Sequence, residues 1–445
     1  MATPDGVQFS NNPVEGTQAE SELVIFRSEL PSYNPSSNKF VRINLPVADK
    51  GWIDFSDTVL SLKFTNRTHN TSSGSATTTA VQTQLCNLIK SISVLNSNGE
   101  QIEYINNYNL ISNIMDDYSY GAEHKASVEQ ILAGGSSDGN PANATAINGT
   151  SSTSEANGSS LVMCDRLMTG FTSGQFLLPL GYLVGQSPAI ILELEDPDTA
   201  LKVNTTANAV CRYQVENVEL RAKQIRFNAM FNASFEKTLA EAGAVGINYI
   251  TESFISNQGS IPVSTSGVYN VPFSCNPRSA KYILASQRLE SNVANNDKYS
   301  LGCRASMGIK EYNWEISGKM YPQQPIKLEN NDYANAYANV LDCLGQIGAI
   351  NHNTLVSKSD QNTKFYTQTQ AEDSKYVSGL VLEDFNSATN PSVYSGMNLT
   401  TVGQLTYRPQ IGHDGTTDGA YRLDFFTSID MSIHFTIDGR MYSVK

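Results

Sequence analysis

SISVLNSNGEQIEYINNYNLISNIM, residues 91–115, holds two hydrophobic periods in one run. Ile92 and Val94 alternate with Ser91 and Ser93. Asn98-Gly99 follows, two residues that tolerate the positive φ of a type I′ hairpin turn. Beyond it, Ile102 and Tyr104 alternate with Gln101 and Glu103. A period of two turns one set of side chains to a core and the other to water. The stretch therefore predicts a hairpin with Ile102 and Tyr104 inside and Glu103 outside. Then the period changes. Tyr108, Ile111, Met115 and Tyr118 recur at spacings of three and four, which predicts a short helix packed on the sheet.

The alternation continues on both sides. Upstream, Val41, Ile43 and Leu45 alternate with polar residues, as do Leu60, Leu62 and Phe64. Downstream, a long polar loop is predicted over 134–160, and loops of that length are usually functional or disordered. Strands resume near Leu161, with Ile190, Leu192 and Leu194 and then Val218, Leu220 and Ala222. Residues 1–38 are polar and rich in Pro and Asn, with one apolar patch at Leu23–Phe26. They read as an arm without a core of its own.

The second half repeats this order. Tyr312, Trp314 and Ile316 alternate up to the turn Ser317-Gly318. Met320 and Tyr321 continue beyond it, and Tyr333, Tyr337, Val340 and Leu344 mark a second helix over 332–344. A polar stretch at 351–374 takes the place of the first long loop. Ile429, Met431, Ile433, Phe435 and Ile437 then alternate up to Asp438-Gly439. Gly99 and Gly318 lie about half a chain length apart, as do Tyr108 and Tyr333. The expectation is an all-β chain of two similar sandwiches, 39–228 and 229–445, with short helices in the loops.

Composition agrees. Charged residues are 16% of the 445, against about 25% in an average globular protein. A net charge of −13 opposes non-specific nucleic-acid binding, which needs clustered cations. The arm is no basic packaging segment: Arg27 stands there against Asp5, Glu15, Glu20, Glu22 and Glu29. No apolar run approaches the roughly 18 residues of a spanning helix, and the N-terminus lacks the pattern of a secretory signal. Cys86, Cys164, Cys211, Cys275, Cys303 and Cys343 lie far apart and read as reduced thiols. Sequons occur at Asn66, Asn70, Asn143, Asn148, Asn157, Asn204, Asn232 and Asn398. In a chain so rich in Asn, Ser and Thr that number is near chance.

Residues that could carry chemistry are scattered. His69, His124, His352, His413 and His434 form no metal-binding or catalytic motif. Glu193, Glu195, Asp196 and Asp198 lie in LELEDPDT. They could offer oxygen ligands to a divalent cation, but read better as a solvated strand end. Asp116-Asp117 ends the first helix, and Asp332 can cap the second. Trp314 shares a strand face with Tyr312 and Ile316, so it reads as core rather than as a sugar platform. No catalytic, cofactor-binding or metal-binding residue is assigned.

Several segments resemble the double jelly-roll major capsid proteins of double-stranded DNA viruses, of the type found in polinton-like viruses and virophages. FVRINLPVADKGWIDFSDTVLSLKF (40–64) is similar to that family's opening strands, and residues 91–115 to its hairpin and helix. NPRSAKYILA (276–285), ISGKMYPQQPI (316–326) and YSGMNLTTVGQLTY (394–407) have the same character. The resemblance implies two eight-stranded jelly rolls per chain and a structural, non-enzymatic role without cofactor. Three chains would form a pseudo-hexameric capsomer that tiles an icosahedral virion shell assembled inside the host cell. Its partners would be further copies, neighbouring capsomers, minor, penton or cement proteins and, where one exists, an internal membrane. The long loops at 119–160 and 345–375 would project from equivalent ends. Two rival readings are a minor capsid protein of the same virion and a glycan-binding adhesin or glycosidase on tandem sandwiches.

Overall fold

The computed structural model describes residues 19–445 apart from 49, 71–79, 125–126, 129, 133–146, 149–155, 174–175, 204–208, 263–265, 294, 296–300, 302–303, 305, 307, 329–332, 346–353, 355, 357–374, 383–394 and 413–419. The predicted loops at 134–160 and 351–374 therefore lie largely outside the described residues.

Two sets of eight strands carry the fold. The first set is β1 (Ala19–Arg27), β2 (Phe40–Asn44), β3 (Trp52–Asn66), β4 (Ile89–Leu95), β5 (Gln101–Asn106), β6 (Ser160–Asp165), β7 (Ala189–Leu194) and β8 (Tyr213–Phe227). The second is β9 (Ile247–Ile261), β10 (Val271–Phe273), β11 (Ala280–Leu289), β12 (Ile309–Ile316), β13 (Lys319–Lys327), β14 (Val377–Val381), β15 (Leu405–Ile411) and β16 (Tyr421–Phe435). Helix α1 (Tyr108–Ser119) follows β5, α2 (Ala229–Ala242) joins the two sets, and α3 (Ala334–Cys343) follows β13.

The first sandwich has sheets ordered β1-β8-β3-β6 and β2-β7-β4-β5. The second has β9-β16-β11-β14 and β10-β15-β12-β13. Adding eight to each label of the first pair gives the second. Both are antiparallel jelly rolls with one winding, so the repeated order in sequence is a repeated topology in space. Both turns use a glycine at positive φ, Gly99 at 81° and Gly318 at 78°, a region open to glycine at no steric cost. Ser317 is positive too, at 50°, as a type I′ turn needs, whereas Asn98 is not, so the first hairpin does not close by the expected type I′ turn.

Core positions follow the alternation. Ile92, Val94, Ile190, Leu192 and Leu194 are buried in the first sandwich, and Tyr312, Trp314 and Ile316 in the second. The expected arm needs correction. β1 pairs with β8 from Ala19↔Phe227 to Arg27↔Glu219, and Ser32–Tyr33 add to β8 as well. Residues 19–38 thus belong to the first sandwich, while 1–18 lie outside the described residues. An edge strand that fully buries only Phe26 leaves too short an apolar period to be read in sequence.

α2 was also unread. Asn228 caps it by accepting from the Phe231 backbone N–H at 2.9 Å. Its Phe231 and Phe235 sit 5.8 and 4.5 Å, centroid to centroid, from Trp52, and Phe227 lies 5.6 Å from it. The link between the sandwiches is thus clamped onto the first by an aromatic cluster.

Candidate functional site

The acidic residues of LELEDPDT do not converge. Glu193 accepts from Lys39 Nζ at 2.8 Å and Ser91 Oγ at 2.9 Å. Burial pushes its carboxyl up, but those two bonds and nearby Lys90 outweigh it and hold the group below its usual range. Glu195 is turned inward, accepts from Asn109 Nδ2 at 2.7 Å, and is raised by burial. Asp196 stands at the start of a single helical turn, Pro197–Ala200. Among the described residues, no group of three or more His, Cys, Asp or Glu could hold a metal ion.

The other candidates have local roles. His434 stacks on Tyr442 at 4.7 Å and its Nδ1 lies 3.2 Å from the Val245 carbonyl oxygen. His124 stacks on Tyr120 at 4.3 Å, and His69 sits in a two-residue strand. His352, His413, Cys303 and Asp332 lie outside the described residues. Cys86, Cys211, Cys275 and Cys343 are buried and Cys164 is half-buried. The Asn66 side chain is buried and donates to the Ile147 carbonyl, so that sequon is closed to modification in the folded chain.

Converging polar groups occur instead at the seam between the sandwiches. Glu103 of β5 is fully buried. Its Oε1 accepts from the Gly170 backbone N–H at 2.7 Å and from Ser253 Oγ of β9 at 2.5 Å; Oε2 accepts from the Phe171 N–H at 3.0 Å. Thr251 Oγ1, also on β9, donates to the Gly170 carbonyl at 2.7 Å. Near the end of α1, Asp117 accepts from Arg304 Nη2 at 2.5 Å and lies 3.6 Å from Lys375 Nζ. Asn107, just before α1, donates to Asp424 Oδ1 of β16 at 3.3 Å. Asp424 also pairs with Arg288 at 2.6 Å and Arg422 at 3.2 Å.

Further bonds and rings close the seam. Tyr118 OH donates to the Lys375 carbonyl at 3.0 Å, Asn96 Nδ2 to that of Met441 at 2.9 Å, and Ser443 Oγ to that of Ile102 at 2.6 Å. Phe176 meets Tyr249 at 5.5 Å, and Tyr118 of α1 meets Tyr337 of α3 at 6.2 Å. Charges this deep persist only when paired, because an isolated ion loses several kcal/mol of hydration. The apolar core runs continuously from one sandwich to the other. The seam is therefore an interior, unlike the small polar contacts of domains that move independently.

Sequence reasoning missed Glu103. Alternation assigns it to water and Tyr104 to the core; in the structure Glu103 is fully buried and Tyr104 is 42% exposed. Glu103 pairs opposite Val94 and Ile105 opposite Ile92, so both lie on the core-side face and Tyr104 on the other; the register shift beside Val94 moves the phase by one residue, and the alternation does not record it. Asp117 was visible only as one half of an acidic pair at a helix end.

Burial raises the Glu103 carboxyl above its usual range, against the bonds from Ser253, Gly170 and Phe171 and the charge of Lys445. The folded chain then holds this proton more tightly than the unfolded chain. Its stabilising contribution is full below the ordinary carboxylate pKa and is lost as pH rises through the folded value. Thermal midpoints from pH 4.5 upward should therefore fall more steeply in the wild type than in Glu103→Gln. The difference in slope is at most about 1.4 kcal/mol per pH unit for one group. Parallel profiles would show that Glu103 stays ionised throughout.

No protein-family model and no curated protein sequence matches the chain. Solved structures do. The Faustovirus major capsid protein superposes with a TM-score of 0.59 at 11% identity, over 96% of this chain and 92% of that one. A chain from the cryo-EM structure of the Sputnik virophage gives 0.57 at 10%, covering 100% and 92%. The mavirus major capsid protein gives 0.53 at 10%, covering 100% and 93%. At such identity the likeness is one of fold, and it spans both sandwiches and the seam. The chain has the double jelly-roll fold of viral major capsid proteins.

Proposed function

We propose that this chain is a structural major capsid subunit, which trimerises into a pseudo-hexameric capsomer and tiles an icosahedral virion shell. The observation that carries the reading is the seam. Two sandwiches of one winding meet through different surfaces: β5, α1 and Gly170–Phe171 of the first against β9 and β16 of the second. A contact between like units through unlike surfaces is head-to-tail, and such contacts close into rings when the rotation allows. With two units per chain, a six-lobed ring takes three chains. A six-lobed block meets six similar neighbours, which suits a tiled shell. The full-length likeness to viral major capsid proteins supports the same reading.

On this reading the buried Glu103, Asp117 and Asp424 hold the two lobes at a fixed angle, and the protein works by contact without making or breaking bonds. Its partners are further copies of itself, neighbouring capsomers and the minor, penton or cement proteins of the shell; its place is the virion. Light scattering of the purified protein should give three times the chain mass, and electron micrographs should show hexagonal outlines. A stable monomer at micromolar concentration would overturn the proposal.

A further inference from the structure

One sheet of the first sandwich has a breach in it. β6 pairs with β3 from Ser160↔Thr65 to Asp165↔Leu60. The chain then leaves the sheet and rejoins β3 through Leu177–Leu178, opposite Asp54 and Ile53. Among the described residues, no strand pairs with residues 55–59 on that side. The turn that spans the gap carries Gly170 and Phe171 to Glu103 at the seam. A cleft of about 600 Å³ opens at the breach, between β3, α1 and this turn. That volume lies within the roughly 300–1,000 Å³ of small-molecule sites.

The lining is apolar with a few convergent polar groups. Phe55 and Val59 of β3, Met115 of α1, and Leu167 and Met168 of the turn supply apolar walls, and unbranched methionines adapt to irregular shapes. Thr58 lines the same cleft. It is 3% exposed, and its Oγ1 has no hydrogen-bond partner among the described residues. A buried hydroxyl left unpaired is costly, and native folds keep few of them. One water would satisfy the hydroxyl but would leave the apolar walls wet. Asp116 and Asp165 add carboxylates to the lining. Asp165 Oδ1 accepts from the Arg166 backbone N–H at 2.7 Å, and a carboxylate offers about four lone-pair sites, so acceptor capacity is left over. Arg166 also lines the cleft but is exposed, so water and salt screen its charge.

We infer that this cleft binds a small amphiphile of the alkylamine class, with an aliphatic body and a head that donates hydrogen bonds. The head meets Thr58 Oγ1 and the two carboxylates, and the body lies on the apolar walls. An alkyl carboxylate fits badly, because its head would face Asp116 and Asp165. The site belongs to the single chain and stands apart from how copies assemble. Its occupancy bears on the seam all the same. Phe55 meets Phe171 at 5.3 Å, and the Phe171 N–H is one of the donors to Glu103. A ligand held against Phe55 thereby braces the turn that supports the buried carboxyl.

Octylamine and octanoate share a chain and differ in the head, so isothermal titration of the full-length protein with each is the test. Octylamine should bind saturably, one molecule per chain, and octanoate roughly tenfold more weakly. Thr58→Val keeps the shape and removes the unpaired hydroxyl. The free variant should therefore melt at or above the wild-type midpoint while binding octylamine roughly fivefold more weakly, a pair of effects that a purely structural role for Thr58 would not give. Val59→Trp fills the cleft and should abolish binding with the circular dichroism unchanged. Hydrogen exchange over 166–173 should slow when octylamine is bound. Equal affinity for the two heads would overturn the inference, as would a Thr58→Val protein that binds octylamine as tightly as wild type. Exchange over 166–173 that octylamine leaves unchanged would put the ligand elsewhere and overturn it too.

Discussion

Asp117→Ala should cost about 3–5 kcal/mol, the range for stripping one partner from a buried ion pair. Arg304 is fully buried, and Asp117 is the carboxylate it reaches at 2.5 Å. Lys375, also buried, lies 3.6 Å from the same group. The substitution removes the carboxylate that Arg304 and Lys375 share and opens space at the end of α1. For domains of this size a loss of that order lowers the thermal midpoint by roughly 10 °C. Asp117→Asn keeps the shape and an acceptor, so it separates the loss of charge from the loss of volume. Differential scanning calorimetry gives the result directly. A midpoint within 2–3 °C of wild type in the Ala variant would mean that water reaches the pair and screens it.

The position of Asp117 shows where sequence reasoning stopped. Period two and period 3.6 are local, so the hairpin, α1 and the repeat of both in the second half were legible. The observed α3, Ala334–Cys343, sits inside the predicted 332–344. The core roles of Ile92, Val94, Tyr312 and Trp314 followed from the same alternation. Strand register is not local. A register shift beside Val94 puts Glu103 on the core-side face, where the alternation places Ile102 and Tyr104. β1 was hidden for a different reason: it buries so little that its outward Leu23 and Ile25 blurred the period. The candidate site was therefore the least legible part, because it is made by one half of the chain covering the other.

Trp314→Ala tests the second sandwich from inside. The ring is fully buried and lies 4.5 Å from Tyr407, 6.0 Å from Phe425 and 6.1 Å from Phe273. Tyr407 and Phe273 belong to the same sheet as Trp314, whereas Phe425 is on β16 of the opposite sheet, so the cluster ties the two sheets together. Truncating such a residue costs about 3–5 kcal/mol through lost transfer energy and the cavity left behind, and each lost aromatic contact adds to that. The chain has two tryptophans, so the variant leaves Trp52, in the first sandwich, as its single indole reporter. If the buried seam couples the lobes, Trp52 fluorescence and circular dichroism should shift to lower denaturant together, although the lesion lies in the other sandwich. A Trp52 transition held at its wild-type midpoint, with the dichroism moving alone, would show two sandwiches that unfold independently. The seam would then be a contact rather than an interior, and it would not hold the two lobes at the fixed angle that a closed six-lobed ring needs.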